Sequence, residues 1–221
     1  MNLRGALLAE GPSDRPLTQV LERLCRRPGV GRVEIEWGNE HLERYCPGRS
    51  IASKVSTLLE IDPGYDIVFV HRDADARDPS PRLAEIDQVF STLELHPPHV
   101  RIVPIQETEA WLLVDESAIR DQLRIPSSHP LHLPKPKHIE QRANPKELLK
   151  QVLARALTRR RSAKVEALSD RRFGELRAQL LVSLDIQGPV TQLSAWQQLV
   201  QDIDRAFELL LTSIVPEPPT A

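Results

Sequence analysis

Only 4% of the 221 residues are aromatic. That scarcity leaves little for a base-stacking surface, and Trp111, with Leu112 and Leu113 beside it, reads as core. Cysteine is nearly absent. Cys25 and Cys46 are isolated and share no C-x-x-C spacing, which excludes a disulfide framework and a cysteine zinc site and leaves two free thiols. No apolar run reaches the roughly 18 residues of a membrane span, and no basic segment followed by an apolar stretch opens the chain. A cytoplasmic protein without membrane contact is therefore expected. A G-x-x-x-x-G-K-[ST] loop is also missing, so the chain does not read as a P-loop ATPase. The two H-x-x-H pairs, His96/His99 and His129/His132, lie among prolines and lack the glutamate of the helical zinc-hydrolase motif, which makes them turn residues.

Charge is abundant and unevenly placed. The formal net charge of -2 divides into +8 between Lys135 and Arg177 and -10 elsewhere. Arg159, Arg160, Arg161, Lys164, Arg171 and Arg172 are the densest part of the basic stretch and the candidate nucleic-acid contacts. A basic half can hold a polyanion that an acidic half would repel, and such binding weakens with salt. Solvated helix faces would give the same composition.

Strand and helix signals alternate over the first 115 or so residues, the pattern of an α/β protein with a parallel sheet and right-handed crossovers. Strands are expected at Leu3–Ala9, Arg32–Trp37, Asp66–Val70 and Val100–Ile105. Helices are expected at Asp14–Arg26 with Ser13 as cap, at Ile51–Leu59 and at Pro81–Leu93, and a further helix starts near Thr108 as cap. Four prolines between Pro126 and Pro136 break the pattern. Beyond them the chain reads as helical, from Asn144-Pro145, with Asn144 as cap, to about Leu157, then 170–184 and 194–211. This divides the chain into an α/β domain (1–125), a proline-rich connection (126–143) and a helical extension (144–215).

The chemistry-bearing residues lie where strands end. Tyr65 to Val70 empties into His71-Arg72-Asp73-Ala74-Asp75, and Leu3 to Ala9 into Glu10-Gly11-Pro12-Ser13-Asp14. In an extended chain the D-x-D spacing puts both aspartates on one face, about 7 Å apart. Two carboxylates ~4 Å apart repel by roughly 4 kcal/mol at an effective dielectric of ~20, so three converging acids call for a cation. Mg²⁺ or Mn²⁺ takes such oxygen ligands and leaves positions for water and phosphate oxygens, the arrangement of phosphodiester chemistry. The strand order 2-1-3-4 would bring Glu10, Asp73 and Asp75 together at the crevice of an open sheet.

With Glu10-Gly11 after the first strand and Asp73-Ala74-Asp75 after a later one, residues 3 to 115 resemble the Toprim domain of topoisomerases, bacterial primases and several nucleases. Leu8-Ala9-Glu10-Gly11-Pro12-Ser13-Asp14, Glu107-Thr108-Glu109-Ala110-Trp111-Leu112-Leu113-Val114-Asp115 and Asn144-Pro145-Lys146 narrow the resemblance. They are similar to an uncharacterised Toprim-like family associated with phage defence and to the Toprim part of the OLD nucleases. The resemblance implies a four-stranded Toprim-like sheet with a helical extension, Glu10 in acid–base chemistry and Asp73 and Asp75 as metal ligands. There is no room for the fused ATPase of an OLD nuclease, which is compatible with a separate ATPase subunit. A homo-oligomer is equally compatible.

Glu107 and Glu109, at the end of the fourth strand, could add ligands or a second metal position; acids favoured by a helix dipole read the same way. Lys146 could stabilise developing phosphate charge. Asp14 is either a support behind the site or a first-turn acid. A D-x-D also serves nucleotide-sugar transferases, which would give Glu10 no role. A haloacid-dehalogenase phosphatase would need Thr at Arg77, and an EF-hand would need Gly at Asp78. A non-catalytic module that binds nucleic acid or a protein partner is the other class of reading.

Overall fold

The structure, a computed structural model, describes residues 2–40, 42, 50–158 and 167–214. Four parallel strands form one sheet: β1 (Leu3–Leu8), β2 (Val33–Trp37), β3 (Ile67–His71) and β4 (His99–Ile102), in the order β2-β1-β3-β4. The α/β class and strand order expected from the sequence are thus observed. Parallel strands need crossovers, supplied by α1 (Leu17–Leu24), α2 (Ile51–Ile61) and α3 (Ser80–Ser91). The chain then continues through α4 (Glu109–Leu112), α5 (Glu116–Leu123), α6 (Pro136–Ile139), α7 (Pro145–Leu157), α8 (Asp170–Ser183) and α9 (Ser194–Ile214).

Side-chain alternation along the strands divides the interior into two cores. Leu3 and Leu7 of β1, Ile35 of β2, Ile67 and Phe69 of β3 and Val100 and Ile102 of β4 join the larger one, together with α1 and the chain after β4. Ala6, Leu8, Val68 and Val70 point to the other face, against Ile51, Val55 and Leu58 of α2 and Ile86 and Phe90 of α3. Because both faces are covered, β3 is buried at all five positions, which explains its unbroken apolar run. Gly5 lies between the neighbouring strands, where a Cβ would come within 2.8 Å of Ile35 and 2.9 Å of Ile67.

Helices α7, α8 and α9 pack on the larger core. Trp196 of α9 meets Trp111 of α4 edge to face, with ring centroids 5.0 Å apart and planes at 88°. Arg101 of β4 holds Asp202 of α9 through two hydrogen bonds of 2.7 and 2.9 Å. The proline-rich connection contributes Leu131 and Ile139, both buried, to the same core.

Local expectations about helix starts need correction. Ser13 caps nothing: Pro12–Asp14 is a separate 3₁₀ turn, α1 begins after Pro16, and the Ser13 carbonyl accepts from Arg177 Nη1 at 2.5 Å. Asn144 adopts φ +55° and makes no side-chain cap; the Lys146 amide instead donates to the Glu107 carboxylate at 2.8 Å. At α9 the cap is again distant, the Glu140 carboxylate accepting from the Ser194 and Ala195 amides at 3.1 and 3.0 Å. Carboxylates brought in by tertiary structure thus satisfy helix ends that local residues leave open. The fourth strand also stops short of Ile105, since Pro104 has no amide to donate.

Candidate functional site

Strands β1 and β3 are hydrogen-bonded neighbours, with Leu8 opposite Val70, so the segments after them leave the same sheet edge side by side. This is where the strand order reverses, the place at which open α/β sheets present a crevice. A cavity of about 400 Å³ opens there, lined by Leu8, Ala9, Glu10, Ile51, Lys54, Val70, His71 and Arg72. The end of β1 is fastened by Asn39, which bonds the Ala9 amide and carbonyl, and by Lys54 Nζ, which donates to the same carbonyl at 2.7 Å.

Past His71 the chain is no longer a strand, and Asp75 has φ +52°. The extended geometry expected for D-x-D therefore does not hold. Instead the loop is stitched to the chain beyond β4: the Ala74 amide donates to Pro104 O at 3.0 Å, and Asp75 and Gln106–Ala76 follow at 2.9 and 3.0 Å. Gln106, at φ +64°, supplies the matching left-handed turn. An aspartate tolerates this conformation better than most residues. Its consequence is that Asp73 turns inward while Asp75 faces solvent.

Two chains of alternating charge result. The outer one joins Glu10 to Arg72, Arg72 to Glu85 at 3.2 Å, Glu85 to Arg82 at 3.0 Å and Arg82 to Asp75 at 3.6 Å. Glu10 and Asp75 terminate it, both substantially exposed. These two acids thus share the edge with Asp73 but are held by arginines. Among the described residues no three His, Cys, Asp or Glu side chains gather closely enough to enclose one ion.

The inner chain is buried and ends on Asp73. The Asp73 Oδ1 accepts from both the amide and the hydroxyl of Thr108, at 2.9 and 3.0 Å. With the hydroxyl proton engaged there, Thr108 Oγ1 accepts from His71 Nε2 at 2.8 Å. On its other side His71 Nδ1 lies 3.6 Å from Asp14 Oδ2, too far for a hydrogen bond, and is buried without a partner among the described residues. Arg177 of α8 then bridges Asp14 Oδ1 at 2.9 Å and Glu109 Oε1 at 2.7 Å. Asp14, His71, Thr108, Glu109 and Arg177 are each no more than 5% exposed.

Burial sets the electrostatics of both ends. It pushes the Asp73 carboxyl up to about 6; His71 opposes the shift, the charges of Asp14 and Glu109 add to it, and the Thr108 hydrogen bond again opposes it. For Arg177, burial favours the neutral form, but Glu109 and Asp14 outweigh it and hold the guanidinium above its ordinary value. The inner chain sets three carboxyl groups, Asp73, Asp14 and Glu109, against one arginine, Arg177.

Of the other residues singled out in the sequence, Glu109 is committed to Arg177 and Glu107 to the α7 N-terminus. The latter contact brings the exposed Lys146 to the β4 end of the site. Arg171 and Arg172 lie at the start of α8, each paired with Glu175 at 3.2 Å. Arg159, Arg160, Arg161 and Lys164 fall outside the described residues. Arg177, part of the basic stretch, is not surface at all. His71, Thr108 and Arg177 escaped the sequence reading as site residues. A histidine closing an otherwise apolar strand was the available signal for the first; nothing local marked the other two.

No family model, curated protein or solved structure matches the chain. What the edge can do follows from its groups alone. Glu10, Asp73 and Asp75 bring carboxylate oxygens to this edge, Arg72 and Lys54 line the adjoining cavity, and Thr108 fixes the Asp73 carboxylate.

Proposed function

We propose that this protein is a divalent-metal-dependent nuclease of Toprim type, hydrolysing phosphodiester bonds at the β1/β3 edge. The observation that carries the reading is the juxtaposition of Glu10, after β1, with Asp73 and Asp75, after the adjacent β3, at the C-terminal end of a 2-1-3-4 sheet. In this reading Asp73, with Asp75 and Glu10 released from Arg82 and Arg72, would hold Mg²⁺ or Mn²⁺, and the ion would supply charge neutralisation and an activated water. Glu10, exposed, moves the proton of the attacking water, and Lys146 balances charge on the phosphate from the β4 side. Nucleic acid is drawn to the site by the basic stretch that includes Arg171 and Arg172. The same reading places the protein in phage defence, with ATP hydrolysis supplied by a separate subunit.

One observation favours a second reading, a non-catalytic module binding nucleic acid or a protein: Arg72 and Arg82 already neutralise Glu10 and Asp75. Cleavage of plasmid, linear and single-stranded DNA and of RNA, with Mg²⁺, Mn²⁺ or EDTA, separates the two. Metal-dependent cutting that disappears in Glu10→Gln/Asp73→Asn, with folding and nucleic-acid binding retained, supports the nuclease. Binding without cutting under every condition would overturn it in favour of the module.

A further inference from the structure

Thr108 precedes α4, a position where a threonine hydroxyl commonly caps its own helix, but it makes no such cap. Its amide and its hydroxyl go instead to one and the same oxygen, Asp73 Oδ1, at 2.9 and 3.0 Å. An ionised carboxylate can only accept, so the hydroxyl proton points at Asp73, and His71 Nε2 donates to Thr108 Oγ1 from behind at 2.8 Å. A hydroxyl that could otherwise rotate is thus left one direction. Branching at Cβ stiffens the side chain further, and Thr108 is fully buried. Asp73 does not share that burial. Its side chain keeps 23% of its surface, and Oδ2 accepts no hydrogen bond from the described residues yet is not buried. Of the roughly four lone pairs of a carboxylate, those on Oδ1 are engaged and those on the solvent-reaching oxygen are open.

We propose, resting on the metal-dependent reading of this edge, that Thr108 is a positioning residue for Asp73: by occupying Oδ1 it fixes the carboxylate plane and leaves Oδ2 as the single oxygen presented to a divalent cation. An Asp73 that merely capped α4 would stabilise the fold and leave cation affinity untouched. Losing the partner that orients a ligating side chain weakens metal binding by roughly 10–100-fold.

The test is Mn²⁺ binding to the full chain at neutral pH, read from the loss of the free-ion electron paramagnetic resonance signal, with no substrate present. Thr108→Val keeps the amide bond and removes the hydroxyl; it should weaken Mn²⁺ binding by about tenfold, whereas Thr108→Ser, which retains the hydroxyl, should stay within about twofold of the wild type. The valine variant also strands the His71 Nε2 donor, so folding is followed by urea unfolding, and Thr108→Ala reads the same loss if the valine variant does not fold. No binding by the wild type, or binding that Asp73→Asn leaves intact, would overturn the metal reading and this role with it. Asp73-dependent binding that Thr108→Val and Thr108→Ala leave within about twofold, or that Thr108→Ser weakens as much as they do, would overturn the positioning role alone.

Discussion

Replacing Arg177 by methionine would test the inner charge chain most directly. The guanidinium is 4% exposed and bonds Asp14 at 2.9 Å, Glu109 at 2.7 Å and the Ser13 carbonyl at 2.5 Å. Methionine fills much of the volume but leaves two buried carboxylates with no cation between them. Breaking a buried pair from one side costs roughly 3–5 kcal/mol, because the surviving charge is stranded rather than because the pair itself was strongly stabilising. Such a loss is a large part of the roughly 5–15 kcal/mol that holds a domain together. At roughly 2–4 °C per kcal/mol for a chain of this size, Tm should fall by about 6–20 °C. Urea unfolding of Arg177→Met, Glu109→Gln and the double variant completes the cycle. Glu109→Gln should rescue part of the Arg177→Met loss, with a coupling of about 1–3 kcal/mol. A loss under about 1 kcal/mol, or additive effects, would refute the claim that these groups form one coupled buried network.

Asp73, raised to about 6, gives a pH signature. The folded state holds this proton more tightly than the unfolded chain, so between the usual aspartate value and about 6 stability falls as pH rises. Asp73→Asn should flatten that slope and be more stable at neutral pH by on the order of 2 kcal/mol, read by urea titrations from pH 4 to 7; an unchanged slope would contradict the burial argument. Added Mn²⁺ should raise Tm in the wild type and not in Asp73→Asn, measured by calorimetry; equal shifts would place the ion elsewhere. Cys25 is fully buried and its thiol is pushed up to about 12, so in a Cys46→Ser background it should resist thiol reagents at pH 8 until the protein unfolds. Loss of the Glu140 carboxylate in Glu140→Ala should cost about 1 kcal/mol through the uncapped α9 N-terminus, and a neutral result by chemical denaturation would show that water replaces it.

The sequence alone determined the strands and the acids at their ends. Continuous apolar strands such as Ile67–Val70 require cover on both faces, and parallel strands require right-handed crossovers, but these constraints admit several strand orders; 2-1-3-4 is expected because it gathers Glu10, Asp73 and Asp75 at one crevice, and the tertiary structure has that order. The burial and period that mark the strands are short-range signals, readable without neighbours. The side-chain roles were different. Thr108 and Asn144 carry the residue types of local caps, yet Thr108 serves Asp73 and His71, and Glu107 caps α7 from 39 residues away. Arg177 counted as one more surface cation until α8 folded it against acids 163 and 68 residues distant. A charged side chain has no intrinsic partner. Which charges are buried together depends on which helices cover which face, and only tertiary packing decides that.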